Sequence, residues 1–95
     1  MSAALSLRLD KWLVHARFVK TRERAQDLIE NTRIRVNRVV VEKAAHPVRP
    51  GDLITLPLGS GIRVLRVLAL GERRGPATEA RTLYEEIDFT AEGGG

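Results

Sequence analysis

The sequence predicts an α+β fold in one small domain: two packed helices, then a small and largely antiparallel sheet, then a C-terminal helical extension. Three observations carry this expectation. Apolar residues recur at helical spacing near residues 9–16 and 25–29, the apolar period falls to two after Asn31, and Pro47, Pro50-Gly51 and Pro76 punctuate the rest of the chain. The chain has 95 residues. A domain of that size has room for one core and buries roughly 60 to 65% of the surface its unfolded form exposes.

Leu9, Trp12, Leu13 and Ala16 stand at i, i+3, i+4 and i+7, so they share one face of a first helix while Arg8, Lys11 and Arg17 point elsewhere. Ser6 is its expected cap, and Asp10 in the first turn suits the positive end of the helix dipole. Phe18, Val19 and Lys20 form a connector. Thr21 is then the expected N-cap of a second helix, with Ala25, Leu28 and Ile29 as its apolar stripe. Asn31, which tolerates the left-handed conformation, is expected to end it.

Beyond it Ile34 and Val36 alternate with Arg33 and Arg35, and Val39, Val40 and Val41 are β-branched. Asn37-Arg38 lies between these runs as a hairpin turn. Residues 53–56 form the next strand, 57–61 a loop, and 62–70 a longer strand carrying Arg63 and Arg66. Residues 71–76 make a second basic break, and Pro76 opens a helix in which Ala80, Leu83 and Tyr84 share a face. Residues 92–95 have nothing to pack with and are expected to fray. The chain accordingly divides into a domain over 7–70, with its core motif over 8–56, and a 71–95 extension of basic turn, short helix and flexible tail.

The net charge of +4 is distributed unevenly. Residues 1–50 carry 11 Lys and Arg against 5 Asp and Glu, and residues 51–95 carry 5 against 7. A one-sided positive field favours a polyanion through counterion release and steering. Arg8, Lys11, Arg17, Lys20, Arg22, Arg24, Arg33, Arg35 and Arg38 crowd onto three short elements. Most are arginines, whose planar fork binds phosphate bidentately and stacks on bases. Taken one at a time, each has an ordinary explanation as a solvated charge, and Arg24 stands three residues before Asp27 as a surface ion pair would. Their joint placement points to nucleic acid. The first amides of the second helix, beside Lys20 and Arg22, add a dipolar anion site.

Material for catalysis is sparse. With no cysteine there is no disulfide, thiolate nucleophile or Cys-ligated metal. His15 and His46 are not at metal-ligand spacing, Gly59-Ser60-Gly61 lacks the spacing of a nucleophile elbow, and phosphate-binding fingerprints are missing. No catalytic residue, metal, cofactor or small-molecule substrate is expected. Residues 1–7 lack a positive and then apolar leader pattern, so neither export nor a membrane span is expected, and a reducing, cytoplasmic setting fits. Trp12 belongs to the apolar stripe and is expected in the core, while Phe18 at the connector is open to either role. No other aromatic falls on the predicted sheet, so recognition should depend on backbone shape more than on base sequence.

The run Arg8-Leu9-Asp10-Lys11-Trp12-Leu13, then Ala16-Arg17-Phe18-Val19-Lys20-Thr21-Arg22, Ala25, Leu28-Ile29, Arg33-Ile34-Arg35-Val36-Asn37, Lys43 and Gly51-Asp52 resembles the S4 RNA-binding domain, over residues 7–56. The Lys-Thr-Arg turn, together with Arg73-Arg74-Gly75-Pro76-Ala77-Thr78-Glu79-Ala80 and Leu83-Tyr84-Glu85-Glu86, is similar to the ribosome-associated heat shock protein 15 family. The resemblance implies an αL motif with a basic concave face for structured RNA. It further implies a stress-response factor that binds ribosomal RNA of the large subunit, particularly one left with a nascent chain on tRNA, and helps to rescue it. By matching position, RNA contact is implied for Arg8, Lys11, Arg17, Lys20, Thr21, Arg22, Arg33, Asn37 and Lys43, to which charge adds Arg35 and Arg38.

Two positions depart from the family pattern. Asn31-Thr32 replaces the usual glycine after the second helix, and Arg38 replaces the glycine after Asn37, so the turn is expected to differ locally. A monomer is expected. A DNA-binding helix-turn-helix protein and an adaptor whose basic face meets an acidic protein are the rival expectations.

Overall fold

In the computed structural model, which describes residues 5–58 and 61–87, the first helix buries the stripe its sequence spacing predicts. Strand β1 (Leu7–Arg8) leads directly into α1 (Leu9–His15), and Leu9, Trp12, Leu13 and Ala16 are all in the core. Ser6 does not cap the helix. The Leu9 amide donates to the His46 carbonyl at 2.8 Å, the Asp10 amide to the Ala44 carbonyl at 3.1 Å, and the Lys11 amide to Asp10 Oδ1 at 2.8 Å. A distant turn thus supplies the acceptors that a local hydroxyl was expected to give.

The end of α1 is left-handed at an arginine. Arg17 sits at φ 66°, its amide donates to the Val14 carbonyl at 3.0 Å, and the Phe18 amide donates to the Leu13 carbonyl at 2.9 Å. These two bonds define a Schellman ending with arginine in the position glycine usually takes. Helix α2 (Arg22–Asn31) begins as predicted, the Thr21 Oγ1 accepting from the Arg24 amide at 3.1 Å. It ends without the expected left-handed Asn31. Thr32 is extended, and both its amide (3.0 Å) and its hydroxyl (2.6 Å) donate to the Leu28 carbonyl. Asn31 Nδ2 meanwhile donates back to Asp27 Oδ1 at 2.7 Å, so Asp27 serves the helix end rather than Arg24.

Strands β2 (Arg35–Val36) and β3 (Val39–Val40) form the predicted hairpin. Asn37 at φ 53° and Arg38 at φ 74° make a turn with both central residues left-handed, matching the strand twist. Arg38 thus adopts the left-handed conformation at the position where the family pattern has glycine. Strand β4 (Pro47–Val48) pairs with β1, while β5 (Leu53–Leu58), β6 (Gly61–Val67) and β7 (Tyr84–Ile87) complete an antiparallel sheet in the order β3-β2-β5-β6-β7. Pro57 is tolerated inside β5 because β2 pairs only as far as Thr55.

The predicted strand over 62–70 stops at Val67. Leu68 and Ala69 leave the ladder and donate their amides to the Leu83 carbonyl at 2.8 and 3.2 Å. The C-terminal helix is present but short: α3 (Ala77–Ala80) passes into a 3-10 turn (Arg81–Leu83), burying Ala80 and Leu83 as predicted. Tyr84 then opens β7 instead of prolonging the helix, because β6 offers an unpaired edge and Val67 pairs with Tyr84. Arg63 fixes that register with two bonds to Glu86, at 2.9 and 2.6 Å. Gly59 and Ser60 of the expected 57–61 loop, and the expected tail 92–95, lie outside the described residues. One cluster joins Trp12, Leu13 and Ile29 of the helices to Ile54, Leu56 and Leu65 of the sheet.

Candidate nucleic-acid interface

The basic face is built around a buried acid. Asp10 is fully buried in the first turn of α1, and Arg8 grips it with Nε at 3.1 Å and Nη2 at 3.0 Å. Arg22, at the start of α2, places Nη2 3.6 Å from Asp10 Oδ2, and Gln26 Nε2 donates to the same oxygen at 3.1 Å. Burial pushes the Asp10 carboxyl up, but the bonds from Arg8, Gln26 and the Lys11 amide outweigh it and leave the carboxyl below its ordinary value. The same bond raises the Arg8 guanidinium. Asp10 thus fixes two arginines from different elements while their side chains stay 42% and 47% exposed, open to a ligand.

Lys11 and Arg22 line a cleft of about 480 Å³, and its far wall comes from the second half of the chain: Gly71, Glu72 and Arg74. Three bonds bring that segment onto α1. Trp12 Nε1 donates to the Ala69 carbonyl at 3.0 Å, His15 Nδ1 lies 3.2 Å from the Leu70 carbonyl, and Arg17 Nη1 donates to the Gly75 carbonyl at 2.8 Å. The turn needs Gly71, at φ 74°, where a Cβ would stand 3.0 Å from Leu83 Cδ1. Arg74 is a functional candidate absent from the set expected from the sequence. The basic break at residues 71–76 was a signal for it, but nothing local said which face it would join.

The remaining predicted residues separate into groups. Lys20, Arg33, Arg35, Arg38 and Lys43 are exposed and make no side-chain hydrogen bond or ion pair among the described residues. Lys43 lies on the turn that caps α1, since the His46 amide donates to its carbonyl at 3.1 Å. Arg17 stands at the end of α1 with one nitrogen committed to Gly75. Asn37 is exposed but its side chain is committed within the chain: its Oδ1 accepts from the Leu53 amide at 2.9 Å and its Nδ2 donates to Asp52 Oδ1 at 3.0 Å. Asp52 in turn closes the Arg49-Pro50-Gly51-Asp52 turn, so Asn37 positions the hairpin that carries Arg35 and Arg38. Thr21 uses its oxygen as a cap and keeps its hydroxyl proton for an acceptor. In the first turn of α2 the Arg24 amide is taken by Thr21 and the Arg22 and Glu23 amides are open, whereas those of α1 are occupied by the 44–46 carbonyls and Asp10. Among the described residues no cluster of His, Cys, Asp and Glu is arranged to hold a metal, and no helix is long and apolar enough to cross a membrane.

Residues 7–54 match the S4 domain family. The chain is 42% identical over 89 residues to heat shock protein 15 of Escherichia coli K12, an alignment covering 94% of this chain and 66% of that protein. The chain thus spans just under two thirds of the length of that curated relative. A structure of heat shock protein 15 from Vibrio cholerae, described as trimeric, superposes with a TM-score of 0.83 at 33% identity, covering 93% of this chain and 88% of the other. The RQC P-site tRNA stabilizing factor of Listeria monocytogenes is 33% identical over 85 residues, covering 87% of this chain and 91% of that protein.

Proposed function

The chain belongs to the S4 domain family, within which it is similar to heat shock protein 15, and from that premise we propose that it is a non-enzymatic factor that binds ribosomal RNA. The observation that carries this function is the cleft where Lys11, Arg22 and Arg74 converge beside the arginines that Asp10 holds. Three cations on two rigid helices and a docked turn suit a folded phosphate backbone, with affinity coming from phosphates and selectivity from RNA shape. The target is the large ribosomal subunit carrying a nascent chain on tRNA, and the role is its rescue under stress. The names of the heat shock and P-site tRNA relatives support that choice of target. A factor that works on ribosomes belongs in the cytoplasm.

Arg8, Lys11, Arg17, Lys20, Thr21, Arg22, Arg33, Arg35, Arg38 and Lys43 form the contact set in this proposal, with Arg74 added and Asn37 acting through the hairpin. The binding unit is residues 7–70, and the 71–95 extension lends it Arg74. One copy suffices, because a single chain carries every cation of the cleft. DNA is the weaker ligand: a helix-turn-helix protein usually reads half-sites as a dimer, whereas one chain supplies every cation of this cleft.

The test is co-sedimentation with purified large subunits, with and without peptidyl-tRNA. One copy should bind, more tightly when peptidyl-tRNA is present, and duplex DNA should compete poorly. Replacing Lys11, Arg22 and Arg74 together with Ala should weaken binding by about 30-fold near 0.1 M salt. Unchanged pelleting of that variant would remove the cleft from the function.

A further inference from the structure

A second cleft opens on the other side of the Arg17–Gly75 bond. Arg17 and Phe18 at the end of α1, Arg63 on β6, and Arg81 and Tyr84 near the C-terminal turn enclose about 220 Å³. The segment that walls the first cleft with Gly71 and Arg74 walls the second with Ala77 and Arg81, so the two clefts flank one stretch of backbone. Sequence periodicity predicts no aromatic platform, because its rings come from separate elements. Phe18 and Tyr84 are half-buried with centroids 4.8 Å apart, and the Arg63 guanidinium lies 5.2 Å over the Phe18 ring.

The polar groups have distinct assignments. Arg63 is held by its two bonds to Glu86, so it offers a planar group beside the rings more than a free charge. Arg17 commits one nitrogen to Gly75 and keeps its other donors. Arg81 is exposed and makes no ion pair among the described residues. A planar cation on aromatic rings, with two further guanidiniums at the rim, is chemistry that takes a base and its phosphate together. The volume is below the roughly 300 Å³ at which pockets for drug-sized molecules begin, which suits one flat group.

We propose that this cleft captures a single unpaired RNA nucleotide, its base against Arg63, Phe18 and Tyr84 and its phosphate on Arg17 and Arg81, where a strand leaves the first cleft. This inference rests on the RNA-binding function and deepens it: the protein recognises a junction between paired and unpaired RNA.

The test uses the full chain and two RNAs, a blunt stem-loop and the same stem-loop with a short 3′ overhang, by fluorescence anisotropy. The unaltered protein should prefer the overhang by about tenfold, and an abasic overhang should lose most of that preference. Arg81→Ala, an exposed change that leaves the core intact, should bring the two RNAs within about twofold while leaving blunt-stem affinity as it was. Phe18→Leu should do the same. Equal binding of both RNAs by the unaltered protein, or a preference retained in Arg81→Ala, would overturn the second cleft alone. Binding of neither RNA would overturn the RNA-binding function as well. Displacement of the overhang by an acidic peptide at equal concentration would assign the cleft to a protein partner and overturn the proposal.

Discussion

Arg8, just before α1, and Arg22 at the start of α2 share the buried carboxylate of Asp10 at 3.0 and 3.6 Å, whereas Arg33, Arg35 and Arg38 around the β2–β3 hairpin are exposed and make no ion pair among the described residues. The two regions carry the same residue type and so separate what arginine does when held from what it does when free. A held guanidinium loses its freedom when the chain folds, not when RNA arrives, and its donors point in fixed directions. A free one adds charge at long range, and salt screens it. The helical region should therefore set which RNA shape is accepted, and the hairpin should set how fast and how strongly any RNA is drawn in.

The sharpest way to break this contrast is Asp10→Ala. It should cost about 2 kcal/mol of stability in denaturant titration, because the Lys11 amide, Gln26 and two half-exposed arginines lose their acceptor, and should loosen Arg8 and Arg22 together. The acid response reports the same group. Because folding lowers the Asp10 pKa, the unfolded chain takes up the proton first as pH falls. The stabilisation is thus complete above roughly pH 4, the unfolded value, and drains as pH drops toward the folded one. Asp10→Asn should flatten that part of the stability curve, and an unaltered curve would mean the carboxylate is not the anchor.

Replacing Arg33, Arg35 and Arg38 with Ala should have a smaller and different effect. Stability should move by no more than about 0.5 kcal/mol. RNA affinity near 0.1 M salt should fall about tenfold, and the slope of log affinity against log salt should shrink by two to three. A slope that stays the same would erase the distinction between held and free arginines. The smallest effect is expected from Arg38→Gly, which relieves a left-handed arginine at φ 74°. It should raise stability by about 0.5 kcal/mol while reducing the salt slope by about one.

What could be read from the sequence was whatever depends on neighbours along the chain. The Trp12 stripe, the Thr21 cap, the Asn37-Arg38 turn and the alternation of Ile34 and Val36 are local patterns, and each stands in the structure. Most of the misplaced features have distant partners. Ser6 lost its capping role to the carbonyls of Ala44 and His46, and Tyr84 entered a strand because β6 had a free edge. The left-handed helix ending fell on Arg17, whose side chain finds Gly75, while the Asn31 side-chain amide found Asp27 close by. The candidate interface divides in the same way. Its cations were legible as a cluster, but Arg74 and the Phe18–Tyr84 pair became visible only when residues 69–84 folded back on α1.

The bonds from Trp12 to Ala69 and from Arg17 to Gly75 also impose an order on the molecule's birth. A chain is made from its N-terminus, and the two helices can pair as soon as they emerge because their contacts are close in sequence. At that moment the indole N–H has yet to meet its acceptor and Arg74 has yet to be added. In the proposed function the cations of α1 and α2 are therefore made before the cleft, which is complete only once residues 69–75 have followed them.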